Sequence, residues 1–200
     1  MDGMPFLSIR FPQASLWNAC LCVGQTCMTT DSNIAPPDPG ARIGLVAPEG
    51  IECIDCIARE YSPLPGFSVQ PLSDMAPVGD ELSLLAIIRM LSRGGAPLSR
   101  ASYRSLGIHL ECLAAPGLRI SELHDGREGV LALEGDIEAL NLALAGLAVV
   151  IRSDVPHESM VQVIITGHNA GADRDWYSDP LRPMPPGVKA VSVRVRTLGI

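Results

Sequence analysis

The sequence predicts an all-β fold: a sandwich of short strands with one short helix at about residues 136–145, behind a poorly patterned N-terminal segment. Three observations lead there. Short runs of alternating or β-branched residues recur between residues 67 and 167, and Gly, Pro or Asp closes most of them. Nineteen Gly and 17 Pro are many for a helical chain and suit strands joined by turns. Hydrophobic residues make up 47% of the chain but aromatics only 4%, so Leu, Val, Ile and Ala must pack the core.

Residues 1–66 read as an irregular, cysteine-containing lead-in or a partial preceding module. FLSIRF is strand-like, QTCMTTDSNIAPPDPGAR is a polar, Pro-rich loop, and ARIGLVAPEGIECIDCIARE holds two short strand-like runs around a turn at Pro48-Glu49-Gly50. SPLPG at 62–66 reads as a boundary. FSVQPL then opens the regular region as a first strand and ELSLLAII is a second. LSRGGAPLSRAS reads as a loop, because Gly94-Gly95 and Pro97 oppose regular structure. SLGIHLECL predicts a third strand with Ile108, Leu110 and Cys112 on one face and His109 and Glu111 on the other. LRISEL is a fourth, HDGREG a tight turn, and VLAL at 130–133 a further strand.

Asp136 is placed to cap a helix, since its carboxylate can accept the unpaired amides of a first turn. Ile137, Leu140, Leu144 and Leu147 follow at three- and four-residue spacing, one apolar stripe, and Gly146 is placed to end the helix in a left-handed conformation. AVVI resumes as a strand. After the polar turn RSDVPHES comes MVQVIIT, whose Val161, Ile164 and Ile165 suit a buried sheet.

DIEALNLALAGLAVV, followed some ten residues later by VQVIITGHNAG, resembles the cadherin-like, immunoglobulin-like tandem repeats of large surface and adhesion proteins. Asp136, Ile137, Ala139, Leu140, Leu144, Ala145, Gly146 and Leu147 fall in places matching that family's helix motif, with Val149 where the family usually has Tyr. The likeness covers roughly residues 67–170. It implies an immunoglobulin/cadherin-like β-sandwich over 67–170, a linker over 171–187 and the start of a further module over 188–200. PLSDMAPVGDELSLLA, beginning at Pro71, also aligns without gaps on PLRPMPPGVKAVSVRV, beginning at Pro180, which a tandem array would produce. The resemblance further implies a location outside the cell or on its surface. It implies neighbouring repeat modules as partners, with other surface proteins or glycans beyond them. It also implies calcium near a module junction, for which Asp173, Asp175 and Asp179 are the nearest acids, with Asn169 beside them.

The net charge of −7 argues against a nucleic-acid partner, which needs clustered Lys and Arg. The most apolar stretch, 137–151, contains Glu138 and Asn141 and is too short to span a bilayer. Asp2, Arg10 and Pro12 disturb any signal-peptide pattern, so either the protein is cytosolic or Met1 is not the start of the exported product. Cysteines 20, 22, 27, 53 and 56 leave three readings open: disulfides, unpaired thiols, or zinc held by converging thiolates. Cys112 reads as a small core residue. His124, Asp125 and Ser121 are close in sequence, but adjacency does not orient a base toward a nucleophile. Trp176-Tyr177 reads as an interdomain contact or a partner-binding pair. The expectation is therefore a non-enzymatic structural or adhesive module of a larger surface protein. The alternative is an intracellular metal-binding or scaffold protein that uses the N-terminal cysteines.

Overall fold

Eleven strands and two helices form among the described residues, 43–71, 83–167 and 188–199 of the computed structural model. In chain order these are β1 (Ile43–Val46), β2 (Cys53–Ile57), β3 (Tyr61–Pro63), β4 (Ser68–Pro71), β5 (Leu84–Ser92), α1 (Arg100–Leu106) and β6 (Ile108–Glu111). There follow β7 (Arg119–Asp125), β8 (Val130–Gly135), α2 (Ile137–Ala145), β9 (Ala148–Ile151), β10 (His157–Gly167) and β11 (Lys189–Leu198). The chain divides into two units, Met1–Ala35 and Pro36–Ile200, and every described residue belongs to the second. No helix among the described residues is long and apolar enough to cross a membrane.

The strands make an all-β sandwich. One sheet has six strands in the order β2-β11-β10-β5-β8-β7, a second has three in the order β3-β9-β6, and β1 pairs with β4. All pairings are antiparallel except β2 with β11, which run parallel. The period of two along a strand sorts the side chains. Leu84, Ala86, Ile88 and Met90 of β5 face inward beside Val161, Val163 and Ile165 of β10 and Leu131 and Leu133 of β8. Ile108, Leu110, Val149 and Ile151 of the small sheet and Leu140, Ala143 and Leu144 of α2 join the same core.

The outer face of the large sheet holds a smaller buried cluster, Ile87, Ala132 and Ile164. Both faces of β5 are therefore buried, and its near-continuous apolar run follows from that.

α2 forms where the apolar stripe predicts it. The Asp136 carboxylate accepts the Ala139 amide at 2.7 Å, and Leu140, Leu144 and Leu147 are buried. Its end departs from expectation. Gly146 has φ −103°, outside the left-handed region, so its backbone does not call for glycine; a Cβ there would press on the Leu113 side chain, which is half exposed and would have to shift. Asn141, also on α2, takes the place of a strand partner for β4. Its Oδ1 accepts from the Val69 amide at 2.7 Å and its Nδ2 donates to the Val69 carbonyl at 3.0 Å, satisfying both backbone groups of one β4 residue.

Three further findings correct the sequence reading. The loop expected over 91–102 contains the start of α1, capped where Ser99 accepts the Ser102 amide; the glycines and Pro97 lie upstream of it. The boundary drawn at residue 66 falls inside the fold, because β1, β2 and β3 all pair with strands from later in the chain. The segment 188–200, expected to begin another module, supplies β11, which pairs with β10 over nine residues in the same sheet. The two aligned segments thus lead into β5 and β11, strands that flank β10 in one sheet.

Three buried polar atoms, His157 Nε2, Ser159 Oγ and Thr197 Oγ1, have no hydrogen-bond partner among the described residues. His157 and Thr197 are register partners on β10 and β11. A buried hydroxyl without a partner costs more than a methyl group of the same shape. Thr197→Val is expected to raise unfolding free energy by up to about 1 kcal/mol, read by chemical denaturation; a loss of similar size would show that the hydroxyl is bonded in solution.

The turn between β7 and β8 supplies a steric test. Gly126 (φ 94°) and Gly117 (φ 77°) are both left-handed, but a Cβ at Gly117 meets nothing within 4 Å whereas one at Gly126 would overlap the Leu110 carbonyl oxygen. That carbonyl belongs to β6, and the Leu110 amide donates to the Gly126 carbonyl at 3.0 Å, so the turn is stitched to the small sheet. Gly117→Ala should cost about 1–2 kcal/mol from backbone conformation alone, and Gly126→Ala about 3–5 kcal/mol because displacement is added. Equal losses in denaturant titrations would contradict the close approach.

Candidate functional site

Two places on the large sheet bring together side chains that packing alone does not demand. The first is a pocket of about 300 Å³ beside β5, α1 and β7. Register builds it. Arg89 faces outward on β5, opposite Val130 of β8 and Gln162 of β10. The β7–β8 pairing slips between Ile120 and Asp125, and this bulge sets Leu123 and His124 on the pocket wall. Leu98 and Tyr103 close the other side.

Arg89 is only 8% exposed, and its Nε donates to Gln162 Oε1 at 2.9 Å. Burial lowers its pKa from the ordinary arginine value, an effect partly offset by Tyr103. The group still stays a cation at neutral pH. Tyr103, 5% exposed, donates its hydroxyl to the Met90 carbonyl at 2.7 Å. Burial pushes its phenol up to about 12, against smaller opposing effects of Arg89 and that hydrogen bond. At the rim, Glu128 receives Arg104 at 3.0 Å and Arg100 at 3.9 Å, and Asp125 holds Arg127 at 3.1 Å.

The second place is the parallel pair of β2 and β11. Arg196 and Asp55 are register partners, and their side chains form a two-pronged ion pair, Nε to Oδ1 at 2.8 Å and Nη2 to Oδ2 at 2.9 Å. The hydrogen bond and charge of Asp55 raise the Arg196 guanidinium above its ordinary value. Five residue pairs, Arg194–Cys53 to Leu198–Ile57, hold the two strands together.

The sequence-predicted site residues distribute as follows. Cys53, Cys56 and Cys112 are all free thiols. Cys53 is exposed and shares a face with Asp55, while Cys56 lies three positions on and points into the core. Two side chains on opposite faces of one strand cannot chelate one ion, and among the described residues no group of three or more His, Cys, Asp or Glu is placed to hold a metal. Burial raises the Cys56 thiol, with Ser62 lowering it and Asp55 and Cys53 adding to the rise; burial also raises Cys112, which is partly buried against the core as expected. His124 and Asp125 line the pocket, whereas His109 sits 3.8 Å from Glu111 on β6. Asn169, Asp173, Asp175, Asp179, Trp176 and Tyr177, together with Cys20, Cys22 and Cys27, lie outside the described residues.

Sequence reasoning missed Arg89 and the ion pair of Arg196. Arg89 carries a signal, a single charge inside LLAIIRML, but a strand read as ELSLLAII stops one residue short of it.

No family model and no curated protein matches the chain. Among solved structures it is similar to the periplasmic chaperone SfaE, at 8% identity and a TM-score of 0.31, over 78% of this chain and 56% of that one. This chain thus spans little more than half of SfaE. It is also similar to an ASH/PapD-like domain of human CEP192, at 8% identity and a TM-score of 0.30, over 94% and 98%. A third is AvmM, described as catalysing macrocyclization in alchivemycin A biosynthesis, at 13% identity and a TM-score of 0.34, over 80% and 90%. These likenesses are loose, and the sandwich assignment rests on strand pairing. None of the three is described as a cadherin repeat.

The Tyr103 phenol generates a pH test. The native state keeps its proton to about 12, whereas the unfolded chain loses it near 10. Unfolding therefore releases a proton between those values, and stability falls as pH rises through them. The contribution present below pH 10 is about 2–3 kcal/mol. Tyr103→Phe should lower stability by about 1 kcal/mol at neutral pH and flatten the decline above pH 10, leaving a residue from the raised thiols. An unchanged alkaline slope in urea titrations would show that Tyr103 is not buried as a neutral donor.

Proposed function

We propose that the chain is a non-enzymatic structural module, a sandwich that carries tension within a larger protein outside the cell or on its surface. The observation that supports this reading is the parallel pairing of β2, early in the described fold, with β11, its last strand. Tension entering along β2 and leaving along β11 pulls parallel neighbours in opposite directions. Such a pull loads all five residue pairs and the Arg196–Asp55 ion pair at once. An antiparallel hairpin pulled from its open end would instead break its bonds singly, in sequence.

Resemblance of 136–147 to cadherin-like repeats supports the surface location, the adhesive role and neighbouring modules, surface proteins or glycans as partners; calcium on Asp173, Asp175 and Asp179 belongs to the same proposal. The alternative, an intracellular metal-binding scaffold, loses the Cys53–Cys56 pair as a chelate and would rest on Cys20, Cys22 and Cys27.

Single-molecule stretching tests the mechanical claim. Handles at residues 53 and 198 shear the β2–β11 pair, and handles at 53 and 192 peel it from one end. The shearing geometry should need at least twice the unfolding force of the peeling one, and Asp55→Ala should lower the former more than the latter. Equal forces in both geometries would sink the proposal.

A further inference from the structure

β2 carries two thiols that the strand keeps apart. Cys53 is exposed on its outer face, Cys56 is 1% exposed and points into the core, and both are free. Three positions of extended chain set their Cα atoms about 10 Å apart. A disulfide needs Cα atoms within about 7 Å and side chains that point toward each other. The pair therefore cannot close while β2 stays in the sheet. A four-residue turn brings its first and last Cα within about 7 Å, and Cys53-Ile-Asp-Cys56 is free to make one once it leaves β11. A turned backbone cannot restore the register from Arg194–Cys53 to Thr197–Cys56. β2 is also the outermost strand of the large sheet, and among the described residues it pairs there only with β11. In the turn that follows, Arg59 has φ 66°, a left-handed conformation that costs any side chain beyond glycine, so this end of β2 is held under strain.

We infer that Cys53 and Cys56 form a redox latch on the parallel strap: oxidised to a disulfide once β2 is pulled from β11, they keep it from returning. The inference rests on the tension reading for what lifts β2, but the chemistry itself needs no force. The co-reactant is a small-molecule disulfide such as oxidised glutathione. The Cys53 thiolate attacks one of its sulfurs, the glutathione S–S bond breaks, and one glutathione thiolate leaves. Cys56, uncovered, then attacks the Cys53 sulfur of the mixed disulfide and expels the second thiolate. Two protein thiols are oxidised, one glutathione disulfide is reduced to two thiols, and the two protein protons pass to the leaving thiolates. In the native sheet the reaction stops at the mixed disulfide on Cys53, because Cys56 faces the core.

Trypsin releases these two cysteines, and no others, in one peptide, residues 43–59. The full chain is incubated with oxidised glutathione in native buffer and in denaturant, and that peptide is weighed. Loss of two hydrogens, the mark of the internal disulfide, should appear at least tenfold faster in denaturant, while the native protein stops at a glutathione adduct on Cys53. When the oxidised chain is returned to native buffer, amides 194–198 should stay unprotected from hydrogen exchange until a reductant is added. Cys53→Ser, at an exposed position, cannot form the bond and should regain the protection of the untreated parent after the same treatment. Denaturant lifts β2 without force, so these outcomes are separate from those of the stretching measurement. Equally fast closure in native buffer, pairing of either thiol with another cysteine, protection regained with the disulfide intact, or the same lost protection in Cys53→Ser would each overturn the inference.

Discussion

The register between β5 and β10 sets the rest of the molecule. Nine residue pairs, from Ser159–Ser92 to Gly167–Leu84, fix which side chains face the core and which face outward. A slip of one residue would turn Arg89 into the core and move Ile88 and Met90 out of it. With the register as it stands, Ile88 meets Val163 on the inner face and Ile87 meets Ile164 on the outer face. The rest of the large sheet attaches to this pair. β8 and β7 extend the sheet on one side and form the pocket; β11 and β2 extend it on the other and form the parallel strap.

Buried polar groups keep that arrangement single-valued. Tyr103 with the Met90 carbonyl in the core, and Arg89 with Gln162 and Asn141 with Val69 in partly buried positions, each place a specific donor against a specific acceptor among aliphatic neighbours. Aliphatic packing tolerates repacking at modest cost, whereas a buried polar group left without its partner costs about 1–3 kcal/mol or more. In a core assembled mainly from Leu, Ile, Val and Ala, with few large rings to fix orientation, these bonds are the contacts least able to tolerate a slipped strand.

Much of the fold was legible in the sequence because local chemistry and tertiary structure agree there. Asp136 caps α2, the Leu140–Leu144–Leu147 stripe is buried, and β8, β9 and β10 form on the runs read at 130–133, 148–151 and 160–166, although β10 already starts at His157, inside the stretch read as a polar turn. α1 was obscured because a Gly-Gly pair and a proline stand immediately before it, and its seven residues bury mainly Tyr103. The place of β11 was not legible at all. VSVRVRTL has a strand's alternation wherever it pairs, and nothing local says whether its partner is an earlier strand of the same sheet or the next module of an array. The pocket was hidden for a related reason: Arg89, Tyr103 and Leu123 come from three separate elements, and only strand register brings them together.

The tension reading requires that the sheet from β2 to β7 be one cooperative body, with the parallel strap as firmly held as its centre. Native-state hydrogen exchange across a denaturant series measures this strand by strand. The hydrogen-bonded amides of β2 and β11 should exchange with the same free energy as those of β5 and β10, through global unfolding. Exchange of β2 and β11 at markedly lower free energy, with β5 and β10 still protected, would show that the strap is peripheral and that the terminal strands do not belong to the body they flank.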